Sequence, residues 1–222
     1  MKTLSQRAWF LLFLAIAVAP AALAQGFRFS QPDDSEAREA AARDARIAQD
    51  LSVPCRSDLL NKKIMVMIGE RHANGVVEAQ QQNYGPHYQA INRRLKALGL
   101  RTYTPEEIRK QIAQAEIDAY FRNDPDAALA ASRRLGASFV LRGLISTEAL
   151  PNPVMAVNQV SVNMGFTLTA SNGRPISDTE ASARSYAGAD VSGMALALVN
   201  EKADEVVAKL YGDYCRNAPR AK

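Results

Sequence analysis

One stretch limits what this chain can fold into: Gly136-Ala-Ser-Phe-Val-Leu-Arg-Gly-Leu-Ile-Ser-Thr147. A glycine suited to ending a helix is followed by β-branched and large apolar side chains, with Pro151 and Pro153 just beyond, a pattern that fits a sheet strand. Alternation puts Phe139, Leu141 and Ile145 on one face and Val140 and Leu144 on the other. Both faces then need cover, as in an interior strand between helical layers.

The first 24 residues belong to export rather than to this fold. Lys2 and Arg7 precede an apolar run from Ala8 to Ala19, then Pro20 and Ala22-Leu23-Ala24, the form of a signal peptide cut between Ala24 and Gln25. The run is shorter than the roughly 20 residues of a membrane-spanning helix. Gln25 stands where a lipoprotein needs cysteine, so the expectation is a soluble, unlipidated periplasmic protein with no transmembrane segment in its mature part. Cleavage would take two basic and no acidic residues, leaving 25 Lys and Arg against 23 Asp and Glu, a net +2 in place of +4. A balance so near neutral argues against nucleic acid as a partner. The remaining 198 residues suffice for one domain with a real core.

Two cysteines, Cys55 and Cys215, lie near the ends of the expected domain. Export favours their oxidation to a disulfide, and closing so long a loop stabilises by roughly 5 kcal/mol in the chain-entropy account. Two free thiols are the alternative; a redox pair is disfavoured because neither sits in a Cys-x-x-Cys setting.

The chain divides into a polar arm, 25–61, one α/β domain, 62–215, and a basic tail, 216–222. Gly26 to Asp34 reads as disordered, and Ser35 to Leu51 as a solvated helix whose bulkiest apolar contact is Ile47 with Leu51. Ile64-Met65-Val66-Met67-Ile68-Gly69 is a second interior strand, and Glu70 to Gly85 a long aperiodic loop leaving its carboxyl end, where ligands sit in open α/β sheets. A helix carries Tyr88, Ile91, Leu95 and Leu98 and stops at Gly99, with Arg93, Arg94 and Lys96 on a solvated face. A brief strand, Leu100 to Tyr103, runs parallel to the first. Thr104-Pro105-Glu106-Glu107 opens a helix that continues through Ile108, Ile112 and Ile117 towards Phe121, and Asp124-Pro125 opens another. Val160 to Leu168 alternates strictly, Asn172-Gly173 marks a hairpin turn, and a polar strand, Ile176 to Tyr186, returns along an edge. Ala189 to Tyr211 closes the domain as an amphipathic helix.

The fold class is therefore α/β (α+β): a mixed sheet with helices packed on it, and an antiparallel hairpin near the C-terminus followed by a long amphipathic helix. The Lys63 to Gly69 strand, Ile91 to Gly99, Leu135 to Gly143 and the turn Asn172-Gly173-Arg174-Pro175-Ile176 resemble the periplasmic α/β domain of the TolB N-terminal and CsgG-like group. The penicillin-binding-protein activators and a flagellar assembly protein share that domain. The resemblance covers about Lys62 to Cys215 and implies an anticodon-binding-like, TolB-N-like topology. It also implies a non-enzymatic accessory or assembly factor of a cell-envelope complex, with an envelope protein as partner and homo-oligomerisation left open. An outer-membrane secretion subunit is a further alternative, but Ser177-Asp178-Thr179-Glu180 offers no lipid-facing band for a pore.

The residues able to carry chemistry or recognition gather in and beside the long loop: Glu70, Arg71, His72, Glu78, Tyr84 and His87. They are the candidate partner-binding residues. A small-ligand or metal site in 70–87 is the alternative, since two histidines and two carboxylates suit a metal and a histidine beside a carboxylate suits a general base. Their spacing matches no ligand motif, no nucleophile elbow is present, and Gly69, Gly75 and Gly85 lack the spacing of a phosphate loop. No cofactor, metal or catalytic residue is assigned.

Overall fold

The computed structural model describes residues 34–71, 77–79, 85–113, 117, 121 and 125–217. The leader, the cleavage site Ala24-Gln25, the start of the polar arm and most of the basic tail lie outside the described residues.

The interior strand stands where the apolar pattern put it. It is β4, Phe139–Pro151, and it lies between β1, Lys63–Arg71, and β5, Asn158–Ala170, in a mixed six-stranded sheet. β1 and β4 run parallel in the register Ile64↔Phe139 to Arg71↔Ser146, while β4 and β5 form a long antiparallel hairpin. β6, Pro175–Ala187, pairs antiparallel with β5 and closes one edge. On the far side of β1, β3, Arg101–Thr102, runs parallel to its beginning, and β2, Val77–Ala79, runs antiparallel to its end.

Two apolar layers follow from the alternation. On one face Ile64, Val66 and Ile68 of β1, Phe139, Leu141 and Ile145 of β4 and the row from Val160 to Leu168 of β5 are buried together. They lie under α3, Pro86–Ala97, and α6, Val191–Asn217, which contributes Leu198, Val199, Val206, Val207 and Leu210. Burial of each such side chain is worth roughly 1.5–3 kcal/mol, so α6 carries a large share of the fold. Gly143 belongs to this face: a Cβ there would run into the Phe166 ring and Ile68, so only glycine lets the ring lie across β4. The opposite face buries Met65, Met67 and Val140 under α4, Pro105–Gln111, and α5, Pro125–Leu135, with Ile117. This second layer covers only the β1 side of the sheet. Further along, Leu144 is half-buried, and Leu144, Ser146, Asn163, Gly165, Glu180 and Ser182 line a hollow of about 440 Å³.

Several helix signals act as read. Thr104 caps α4 in a reciprocal capping box with Glu107, and Gly136, at φ 66°, ends α5. The expected continuation of α4 through Ile112 does not occur: Ile112 is extended, at φ −128° and ψ 124°, and the chain breaks there before Ile117 returns to the same core. Nor is 70–85 structureless throughout, because β1 runs on to Arg71 and β2 folds back on it. Arg94 is not on a purely solvated face either. Its guanidinium donates to both carboxylate oxygens of Asp204 on α6, at 2.7 and 2.8 Å, and to the Ala90 and Asn200 carbonyls.

The polar arm includes α1, Asp34–Leu51, which buries no residue fully and lies along α6. Exposed ion pairs join them: Arg43 with Glu201, Arg46 with Glu205, and Asp50 with Arg216. After α1 the core takes in Cys55 and Leu59, the latter on the short helix α2, Arg56–Leu59. Cys55 and Cys215 are joined in a disulfide, with Cα atoms 5.6 Å apart. Tyr211 reinforces that junction by donating to the Val53 carbonyl at 2.6 Å.

Candidate functional site

Four chain segments meet at the carboxyl end of β1. The strand delivers Glu70 on the face that lies under α3 and α6 and Arg71 on the other, by simple alternation. Pro86 fixes the first turn of α3, which presents His87. The β4–β5 hairpin extends past the end of β1, since Arg71 pairs with Ser146 and β4 continues to Pro151. The first turn of α6, held by Asp190 accepting from the Gly193 amide at 2.8 Å, completes the ring. A cavity of about 500 Å³ lies among them, bounded by Glu70 and His87, by Thr147 to Ala149 and Val160 of the hairpin, and by Val191 to Gly193 of α6.

Within it, the His87 Nδ1 is bonded to a Glu70 carboxylate oxygen, and both side chains are mostly shielded, at 12% and 20% exposure. An ionised carboxylate can only accept, so against an ionised Glu70 a neutral ring would carry its proton on Nδ1 and leave Nε2 as an acceptor. Burial pulls the His87 pKa below its ordinary value, favouring the neutral ring. A histidine oriented by a carboxylate could serve as a base. Among the described residues, however, no hydroxyl is hydrogen-bonded to it, and Ser192 and Thr147, which border the same cavity, make no such bond. Nor do any three His, Cys, Asp or Glu side chains among the described residues gather as a metal-holding group.

Of the six candidate residues, the structure brings Glu70 and His87 into contact and sets Arg71 beside them in sequence but on the opposite sheet face. Glu78 lies opposite Glu70 in the β1–β2 register. His72 and Tyr84 fall outside the described residues. Sequence reasoning missed Thr147, Glu148 and the α6 turn, which lie 60 and more positions beyond His87; the Asp190-Val-Ser-Gly193 cap was their only local signal.

Beside the cavity the hairpin ends in an apolar tip. Asn152 accepts from the Val154 and Met155 amides, folding the loop so that these side chains point outward, 90% and 56% exposed. Leu150 and Tyr186 are exposed on the same end of the sheet, one either side of Gln159 in the cross-strand register.

No family model matches this sequence, and no curated protein matches it. Solved structures with a similar course include the hypothetical protein CT253 from Chlamydia trachomatis, at 12% identity, covering 68% of this chain and 98% of that one with a TM-score of 0.46. The LpoB C-terminal domain from Salmonella enterica matches at 14% identity over 63% and 93%, with a TM-score of 0.40. The PelC dodecamer from Paraburkholderia phytofirmans matches at 15% over 66% and 87%, with a TM-score of 0.41. At such identities and scores none of the three transfers a role to this chain.

Proposed function

We propose that this chain is a non-enzymatic interaction module of the cell envelope, one that grips a protein partner at the carboxyl end of β1. The observation that carries the reading is the β4–β5 tip, where Val154 and Met155 stand in solvent beside exposed Leu150. Clustered apolar exposure of this kind mostly marks a contact surface. The adjoining cavity, with the Glu70–His87 pair in its wall, supplies polar groups that would orient what the tip holds. Arg71, His72, Glu78 and Tyr84 are counted with them as partner-binding residues on the sequence reading alone.

The envelope setting rests on the leader-like residues 1–24 and on a disulfide, which persists in oxidising compartments. We place the mature protein in the periplasm, cut before Gln25 and unlipidated, and read the resemblance to the TolB N-terminal and CsgG-like group as one of domain plan and accessory role. Among the described residues no helix is long and apolar enough to cross a membrane. A photo-crosslinker at Val154, used in intact cells, is expected to trap one defined envelope protein, and Met155→Asp to abolish the product. Crosslinks spread over unrelated proteins would refute the reading. A small ligand in the cavity is the second reading, favoured by its volume and its partly buried histidine; it requires that His87→Ala change binding while Met155→Asp does not.

A further inference from the structure

We propose that two copies of this chain pair edge to edge through β6, antiparallel about a two-fold axis at Ser182, to make one continuous sheet.

An uncovered sheet edge is a standing invitation to another strand, and natural proteins blunt it with charged side chains, lysine above all, internal proline, bulges or brevity. β6 carries charges of both signs but few of the other devices. It is 13 residues long, contains no lysine, has its one proline at the first position, and shows its one register shift at that same end, opposite Leu168 and Thr169. From Ser177 to Ala187 the strand is regular, and among the described residues only β5 pairs with it.

The side chains on its open face read Asp178, Glu180, Ser182, Arg184 and Tyr186, all exposed. Three of them are charges without an ion-pair partner among the described residues, Asp178, Glu180 and Arg184, and the last two stand two positions either side of Ser182. In an antiparallel pair centred on Ser182, Glu180 of each copy stands directly opposite Arg184 of the other, so one strand supplies both halves of two ion pairs. Asp178 then faces Tyr186 of the second copy, giving that exposed ring a neighbour. On the helix-covered face, Ala181 meets Ala183 and Thr179 meets Ser185, side chains small enough to let the edges approach. A shift of the axis to Ala181 would oppose Asp178 and Arg184 instead, but Asp178 already accepts from the Thr167 hydroxyl at 3.3 Å, and Glu180 would be left without a counter-charge. Directly opposite residues of like charge destabilise a pair and opposite charges support it, which makes the pattern self-complementary in this register. The occupant it fits is therefore a second copy.

The test is sedimentation equilibrium of residues 25–222, with circular dichroism to confirm that each variant folds. The chain is expected to dimerise. Glu180→Arg, which sets arginine against arginine twice, is expected to raise Kd roughly tenfold or more, and Glu180→Arg with Arg184→Glu to return it to within about threefold of the parent. Ser182→Cys is expected to form an interchain disulfide under mild oxidation, because only a residue on the axis faces itself, while Asp178→Cys is not. A monomer at every concentration overturns the proposal, even if the edge takes a strand from another protein. So does a dimer indifferent to Glu180→Arg, one that the double exchange fails to restore, or one in which the two cysteine variants crosslink alike.

Discussion

His87 carries a proton less readily here than in an unfolded chain, because burial disfavours the imidazolium. Between its ordinary pKa near 6.5 and the depressed folded value, the unfolded chain binds more protons. Stability contributed by the neutral ring is thus complete above that window and falls as pH drops through it. Thermal melts from pH 8 to 5 are expected to show this decline, and His87→Gln to flatten it; a parent protein that gains stability on acidification would contradict the assignment. Gly143 makes a different demand. Its substitution by valine forces a side chain into Phe166 and Ile68, an overpacking expected to cost about 1–3 kcal/mol or more in urea unfolding. Arg94 shows what single residues hide. Its partner Asp204 lies 110 positions away, and a cation on a helix surface reads as solvated until that helix is placed.

Elements with a sustained period were legible from the residues themselves. β5 alternates over its whole length, α6 repeats a stripe from Val191 to Tyr211, and β4 combines two apolar faces with a glycine before it, so strand and helix types followed directly. The failures share a cause. Ile108, Ile112 and Ile117 sit at intervals of four and five, which resembles one helical stripe, yet a chain that turns extended at Ile112 can bring the same three into one core. β2 is three residues long and exists only because the end of β1 offers it a partner, so no local pattern announces it. The candidate site was legible in the same limited way: the loop beside β1 stood out, while the hairpin and α6 turn that complete the cavity come from distant sequence. The weight borne by α6 gives a direct check. Leu198→Asp or Val206→Asp places a charge among residues 5% and 1% exposed and is expected to unfold the domain, seen as loss of cooperative melting.

At the scale of the molecule, the disulfide fastens the first core residue to the last helix across 160 positions, with the cavity proposed for recognition at the opposite end of α6. Replacing both Cys55 and Cys215 by serine is expected to lower unfolding free energy by up to about 5 kcal/mol in denaturant titrations. Capture of a partner at the hairpin tip is expected to survive that loss while the domain stays folded.

The ion pairs between α1 and α6 advance together, Arg43 with Glu201, Arg46 with Glu205, Asp50 with Arg216, so the two helices run in the same direction. Counting back from Arg43 and Glu201, Asp34 starts abreast of Ser192, which borders the cavity. Asp34 therefore begins α1 next to the end proposed to grip a partner, and Asn217 ends α6 at the stapled one. A bulky reporter fused ahead of α1 would crowd the partner out, whereas the same reporter behind α6 would leave the grip unobstructed, giving the molecule a blocked and an unblocked handle.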